Sequence, residues 1–161
     1  MILIAFGANL PSHAGSPAQT LRASLALLCE NAANPVSVSH FYASPAWPDP
    51  SDPSFVNAVA RVETGLSPAE LMELLAEIEN RFGRVRSARN APRTLDLDLL
   101  DYHGRVSDGP PVLPHPRIET RDFVLVPLRD VAPDWRHPVS GKSVDELIAA
   151  LPAPAVKRCA P

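Results

Sequence analysis

This chain is predicted to fold as an α+β domain in the order β-α-β-β-α-β, an antiparallel sheet with helices packed on one face, followed by one more helix near the C-terminus. Two observations predict it. Three helix starts share one capping grammar, and the apolar runs between the first two have the composition and period of strands.

Residues 2–6 are a short apolar run closed by Gly7, which reads as a buried strand. Ser16-Pro17-Ala18-Gln19 is a capping box with proline at the first helical position, and it opens an amphipathic helix through Leu21, Leu25 and Leu28. Val36 and Val38, with Phe41 and Tyr42, mark a second strand, and residues 55–62 a third. Ser67-Pro68-Ala69-Glu70 repeats the capping box ahead of Leu71, Leu74, Leu75 and Ile78. Residues 94–102 are the last strand of the core, and a proline-rich crossing follows. Ser143-Val144-Asp145-Glu146 then starts a final helix carrying Leu147 and Leu151. The tail, residues 152–161, begins Pro152-Ala153-Pro154 and is expected to be flexible. The order is the ferredoxin-like arrangement. At 161 residues the chain has the size of one domain, spanning 1–161.

A net charge of −3 argues against a general binder of nucleic acid or anionic membrane, so an anion site would have to be local. Cys29 and Cys159 lie far apart, without C-x-x-C or histidine-paired spacing, and read as free thiols of a reducing cytosol. Residues 1–10 lack a basic leader region, and no apolar run approaches the ~18 residues that span a bilayer. A cytoplasmic protein without a membrane partner is the expectation. A Walker lysine loop, a G-x-G-x-x-G turn and an H-E-x-x-H helix are all missing from the sequence.

The most informative stretch is Arg93-Thr94-Leu95-Asp96-Leu97-Asp98-Leu99-Leu100. Side chains alternate along a strand, so Leu95, Leu97 and Leu99 face a core while Asp96 and Asp98 share the other side. With a rise of about 3.3 Å per residue, the two carboxylates stand roughly 6.6 Å apart at their bases. Held like this they repel and raise each other's pKa unless a cation joins them. Carboxylates with phosphates and water are the ligand set of Mg²⁺. The preceding loop, residues 83–92, leads into Arg93 and supplies Arg84, Arg86 and Arg89, whose planar forks match phosphate oxygens. Cations beside an acidic metal pair are what a nucleoside triphosphate needs. The loop starts at a glycine and its charges repel, so it is also expected to order over a bound anion.

Phe55 and Asn57 share a strand face, and Phe123 could meet them from the later half of the chain, making a slot for a flat heterocycle with polar edges. Asn57 interrupts the apolar run Val56-Asn57-Ala58-Val59, and a buried amide must find partners. His115, in Leu113-Pro114-His115-Pro116-Arg117, lies close enough in sequence to Arg121 to extend a phosphate grip. His13, His40, His103 and His137 have no partner pattern and read as surface or structural. Two other classes compete: a small ferredoxin-like RNA-binding module using the arginine loop, and a Mg²⁺-dependent nucleotide phosphohydrolase using Asp96 and Asp98. Few aromatic residues and a negative net charge weigh against the first.

Arg89-Asn90-Ala91-Pro92-Arg93-Thr94-Leu95-Asp96-Leu97-Asp98-Leu99-Leu100 resembles the signature of the 6-hydroxymethyl-7,8-dihydropterin pyrophosphokinases, enzymes of the folate pathway. The similarity extends through Phe6-Gly7-Ala8-Asn9-Leu10, Phe41-Tyr42-Ala43-Ser44-Pro45, Phe55-Val56-Asn57-Ala58, Leu113-Pro114-His115-Pro116-Arg117 and Arg121-Asp122-Phe123-Val124-Leu125-Val126-Pro127-Leu128. Two departures stand out: the stretch between Arg84 and Pro92 is one residue shorter than in many members, with Asn90 where an aromatic ring often sits, and Pro116 stands where some carry tyrosine.

The resemblance implies pyrophosphoryl transfer from ATP to the pterin hydroxymethyl oxygen, leaving AMP; a monomer is expected, and the net charge argues against a nucleic-acid partner. It implies that Asp96 and Asp98 bind two Mg²⁺ ions and that Asp98 or its metal helps to activate the hydroxyl. Arg84 and Arg93 would act in catalysis and, with His115 and Arg121, hold the triphosphate. The Leu99 backbone and Glu79 would lie near the nucleoside. Phe55 and Phe123 would sandwich the pterin, while Ser44, Asn57, Asp96 and the main chain around Trp47 meet its edges.

Overall fold

The computed structural model describes residues 1–85 and 88–161. The elements run β1 (Ile2–Ala8), α1 (Pro17–Glu30), β2 (Ala33–Val38), β3 (Tyr42–Ser44), β4 (Phe55–Thr64), α2 (Pro68–Arg81), β5 (Asp96–Tyr102), a 3₁₀ turn (Ile118–Thr120), α3 (Asp122–Val131), α4 (Val144–Ala150) and β6 (Lys157–Arg158). All three predicted capping boxes form. The Ser16, Ser67 and Ser143 side chains accept from the amides of Gln19, Glu70 and Glu146, whose side chains accept in turn from the serine amides.

Every strand pair is antiparallel. β1 lies between β4 and β5, and the long β4 pairs with β2 along its second half and with β3 along its first. β2 and β3 together therefore act as one broken strand, and the order β5-β1-β4-β2/β3 is that of the predicted fold. Alternation along β1 sends Ile2, Ile4 and Phe6 into a core with Leu21 and Leu28 of α1 and Leu71, Leu75 and Ile78 of α2. Leu3 and Ala5 point the other way, into a second core with Val124, Leu125 and Leu128 of α3 and Val144 and Leu147 of α4. Helices thus cover both faces of the sheet, where the sequence pointed to one.

Two features depart from the sequence reading. The proline-rich crossing contains α3, whose positions 124–128 are all buried and include Pro127. An internal proline ordinarily argues against a helix, although positions 124, 125, 128 and 131 have the spacing of one apolar face. The tail at 152–161, expected to be flexible, contributes β6, which pairs Lys157 with Ala43 and Arg158 with Tyr42. Among the described residues no helix is long and apolar enough to cross a membrane.

Candidate active site

A cavity of about 560 Å³ opens over the sheet where the N-terminal end of α3 meets the ends of β3, β4 and β5. Its floor includes Gly7, which is paired with Asn57 on one side and with Asp96 on the other. Ser44, Trp47, Phe55, Arg93, Asp98 and Arg121 line it, together with Phe123 from the first turn of α3. The sequence-predicted ring slot and acidic pair therefore open into one space.

The ring end is built by β3 and β4. Tyr42 is the register partner of Asn57, and Ser44 of Phe55. Asn57 is 4% exposed; its Nδ2 donates to the Ser44 hydroxyl at 2.8 Å and to the Tyr42 carbonyl at 3.2 Å. A carbonyl can only accept, so the amide orientation is fixed and Oδ1 is directed toward the Gly7 side of the cavity. Asn57 thus presents a pre-aimed acceptor. Phe55 and Phe123 each lie beneath a guanidinium, Arg93 at 6.0 Å and Arg121 at 5.5 Å from the ring centroids. Trp47 is 72% exposed on the rim.

The polar end is built on β5. Leu97 and Leu99 go to the α1/α2 core and leave Asp96 and Asp98 on the cavity side, as alternation requires. Leu99 can therefore meet a cavity ligand only through its backbone. Alternation also puts Leu100 on the face of the aspartates, where it packs into the α3/α4 core, and the β1/β5 register shift between Leu3 and Ile4 then leaves Asp101 on that same side, accepting from the Trp135 indole. Asp96 is gripped by two arginines: Arg84 Nη1 donates to Oδ1 at 2.6 Å and Arg93 Nη1 to Oδ2 at 3.2 Å. Arg84 also donates to Glu79 Oε1 at 2.7 Å, and that oxygen accepts the Leu97 amide at 2.8 Å. Glu79, 5% exposed at the end of α2, braces Arg84 and β5. Arg86, the remaining cation of the loop before Arg93 besides Arg84 and Arg89, lies outside the described residues.

Asp98 is differently placed. Among the described residues, Arg121 Nη1 lies 3.7 Å and His115 Nε2 3.8 Å from its Oδ2, beyond hydrogen-bond length. Burial, and then the neighbouring Asp96 charge, push its pKa up to about 7, with Arg121 opposing. His115 is shifted down, chiefly by burial and then by Arg121, which favours a neutral ring near pH 7. Its Nδ1 accepts the Arg117 amide at 3.2 Å, so the neutral ring carries its proton on Nε2, facing Asp98.

Two hard carboxylate groups, with the Asp98 pKa raised, call for a cation. Among the described residues no set of three or more His, Cys, Asp and Glu groups could hold a metal ion. An ion bound to Asp96 and Asp98 would take its remaining ligands from phosphate and water, which is the habit of Mg²⁺.

Asn9 was not singled out from sequence, yet it organises this end. It is buried; its Oδ1 accepts the Arg93 amide at 2.8 Å, its Nδ2 donates to the Pro53 carbonyl at 3.0 Å, and its own amide donates to the Arg93 carbonyl at 3.1 Å. The signal was available, since an asparagine directly after a buried strand needs partners just as Asn57 does. Arg117, Thr120 and Ala155 also line the cavity without having been predicted.

Residues 3–133 match the family described as 7,8-dihydro-6-hydroxymethylpterin-pyrophosphokinase (HPPK). A 2-amino-4-hydroxy-6-hydroxymethyldihydropteridine pyrophosphokinase of Pseudomonas aeruginosa is 44% identical over 124 residues, covering 76% of this chain and 76% of that protein. A protein of the same name from Synechocystis sp. is 43% identical over 124 residues, 76% of this chain and 63% of the relative, so the chain spans somewhat less than two thirds of that relative's length. Among solved structures, an HPPK-DHPS in complex with substrates superposes with a TM-score of 0.70 at 11% identity, covering 92% of this chain and 44% of that one. At that identity the likeness concerns the fold. With the family match covering most of its length, the chain belongs to the 7,8-dihydro-6-hydroxymethylpterin-pyrophosphokinase family.

Proposed function

We propose that this protein transfers the pyrophosphoryl group of ATP to the hydroxymethyl oxygen of 6-hydroxymethyl-7,8-dihydropterin, giving AMP and the pterin diphosphate, with two Mg²⁺ ions held by Asp96 and Asp98. The observation that carries the proposal is that one cavity joins an aromatic slot, edged by the aimed Asn57 amide, to a carboxylate pair ringed by Arg84, Arg93, Arg121 and His115.

The residues divide the work along the cavity. Phe55 and Phe123 hold the flat ring, and Asn57 Oδ1 accepts from a ring N–H while its Nδ2 stays tied to Ser44 and Tyr42. This places the hydroxymethyl group toward Asp96 and Asp98. Asp96 and Asp98 would hold Mg²⁺, which would supply neutralisation of the charge that develops on the phosphate oxygens in transfer. Asp98, ionised when a cation joins it, lies where it can accept the proton of the attacking hydroxyl. The hydroxyl oxygen bonds to the β-phosphorus as the bond from that phosphorus to the α-bridging oxygen breaks, and AMP departs with that oxygen. Arg84 and Arg93 have a double use: without nucleotide they neutralise Asp96, and their forks would serve the transferring phosphates where a cation took over that carboxylate. The neutral His115 offers its Nε2–H and Arg121 its guanidinium to the same phosphates. Glu79 enters through Arg84, and the Leu99 backbone is the contact proposed toward the nucleoside.

AMP measured from MgATP with and without the pterin tests the proposal. Stoichiometric AMP that requires pterin is expected. Phosphate or pyrophosphate released from ATP alone would mark a phosphohydrolase instead. The RNA-binding reading loses ground because α3 and α4 pack against the sheet face that such modules leave open to stack bases.

Asn57→Ala is expected to weaken pterin binding by roughly 1–3 kcal/mol, the cost of leaving a buried ligand polar group without its bond, with MgATP affinity nearly unchanged. Titration of each ligand separately by calorimetry checks this. Equal losses for both ligands would indicate a disturbed fold rather than a lost edge contact.

A further inference from the structure

We infer that residues 152–161 are a working part of the ring pocket, a strap that fixes the distance between its two walls. This inference rests on the ring-slot reading above. One wall is the start of α3, with Phe123; the other is β3 and β4, with Ser44, Phe55 and Asn57. The strap is anchored to both. The Ala155 amide donates to Asp122 Oδ2 at 2.8 Å, one residue before Phe123. Two residues further on, Lys157 and Arg158 pair with Ala43 and Tyr42, and the Cys159 amide donates to the Phe41 carbonyl at 2.8 Å. Ala155 and Asp122 themselves line the cavity.

A second tie makes the strap consequential. At the other end of α3, Asp130 Oδ2 accepts from the Tyr42 hydroxyl at 2.9 Å and from the His40 amide at 3.1 Å, and His40 Nδ1 lies 2.9 Å from it. The helix is thus pinned to the β3 region at its C-terminal end by Asp130 and at its N-terminal end by the strap. Releasing the strap frees the end that carries Phe123 to swing about the end that does not. The prolines at 152 and 154 suit this role, because fixed φ angles lower the entropy lost when the segment is held extended. The same composition had suggested a flexible tail. The strap also lies beyond residues 3–133, where the family match ends.

Ala155→Pro removes the donor and Asp122→Ala the acceptor of the anchoring bond, while Asp122→Asn keeps an acceptor. Each variant of the full chain is assayed for the pterin KM, kcat, MgATP Kd and Tm. The expected result is a pterin KM raised about tenfold in Ala155→Pro and Asp122→Ala, the size of one lost hydrogen bond to a charged group. The double variant should be no worse than either single one. Asp122→Asn should stay near wild type, with MgATP Kd and Tm nearly constant throughout. If Asp122→Ala weakens pterin use and Ala155→Pro does not, Asp122 serves the ligand directly and the strap is overturned. Unchanged KM in both, or losses shared equally by MgATP and Tm, also overturn it while leaving the functional reading in place. A wild-type protein that makes no pterin-dependent AMP overturns that reading, and the strap with it.

Discussion

Asp98→Asn is expected to lower kcat by roughly 10³-fold, through loss of the proposed metal ligand and proton acceptor, while making the ligand-free protein more stable above pH 7. The stability part follows from the sign of the shift. In the folded chain Asp98 has a pKa of about 7 against an ordinary 3.8, so the folded state holds the proton more tightly than the unfolded one. The stabilisation linked to that proton is fully present below pH 4 and is lost as pH rises through about 7. Asparagine mimics the protonated group at every pH and removes the loss. With 31% of the Asp98 side chain exposed, solvent screening trims the effect, and a gain of roughly 1–3 kcal/mol at pH 8 is expected, a few degrees or more in Tm. Thermal melts of wild type and Asp98→Asn between pH 5 and pH 8 check this, alongside turnover. A variant that is less stable at pH 8 and keeps its activity would make Asp98 a structural side chain.

The contrast between Asp98 and Asp96 shows what a sequence can and cannot reveal. Alternation along 94–102 correctly put both carboxylates on one face, and serine-led capping boxes correctly placed three helices, because these patterns depend on neighbours a few residues apart. That Asp96 is tied up by Arg84 and Arg93 while Asp98, among the described residues, meets Arg121 and His115 at longer range depends on α2, β5 and the approach to α3 meeting in space. No periodicity encodes that. Phe123 lines one cavity with Phe55, as residue type suggested, even though α3 itself was missed, because Pro127 inside it reads as a helix breaker. Ala155 escaped for a further reason, since it acts through its main-chain amide, which any residue can supply, whereas the partners of the Asn9 side chain, which are Pro53 and Arg93, lie far along the sequence.

Arg84→Ala and Arg93→Ala are each expected to reduce kcat by about 10²–10⁴-fold while changing the MgATP Kd by less than about tenfold, the pattern of groups that act mainly on the transition state. The two should differ in stability. Arg84 lies between Asp96 and the buried Glu79, and those carboxylates outweigh the desolvation that pulls its pKa down, so that its charged form is favoured in the fold. Its removal takes a charged partner from a buried carboxylate, and a loss of roughly 1–3 kcal/mol is expected. Arg93 has its main chain held by Asn9 independently of its side chain, so Arg93→Ala should melt close to wild type. Arg93→Lys keeps the charge and loses the planar fork that pairs with Asp96 and would pair with phosphate; it should recover nucleotide binding before it recovers kcat. Single-turnover measurements at saturating MgATP separate the chemical step from binding. Should Arg93→Ala weaken MgATP binding as much as it slows turnover, with Arg93→Lys fully active, the guanidinium would be a ground-state anchor whose charge alone matters, and transfer would rest on Asp98, Arg84 and Arg121.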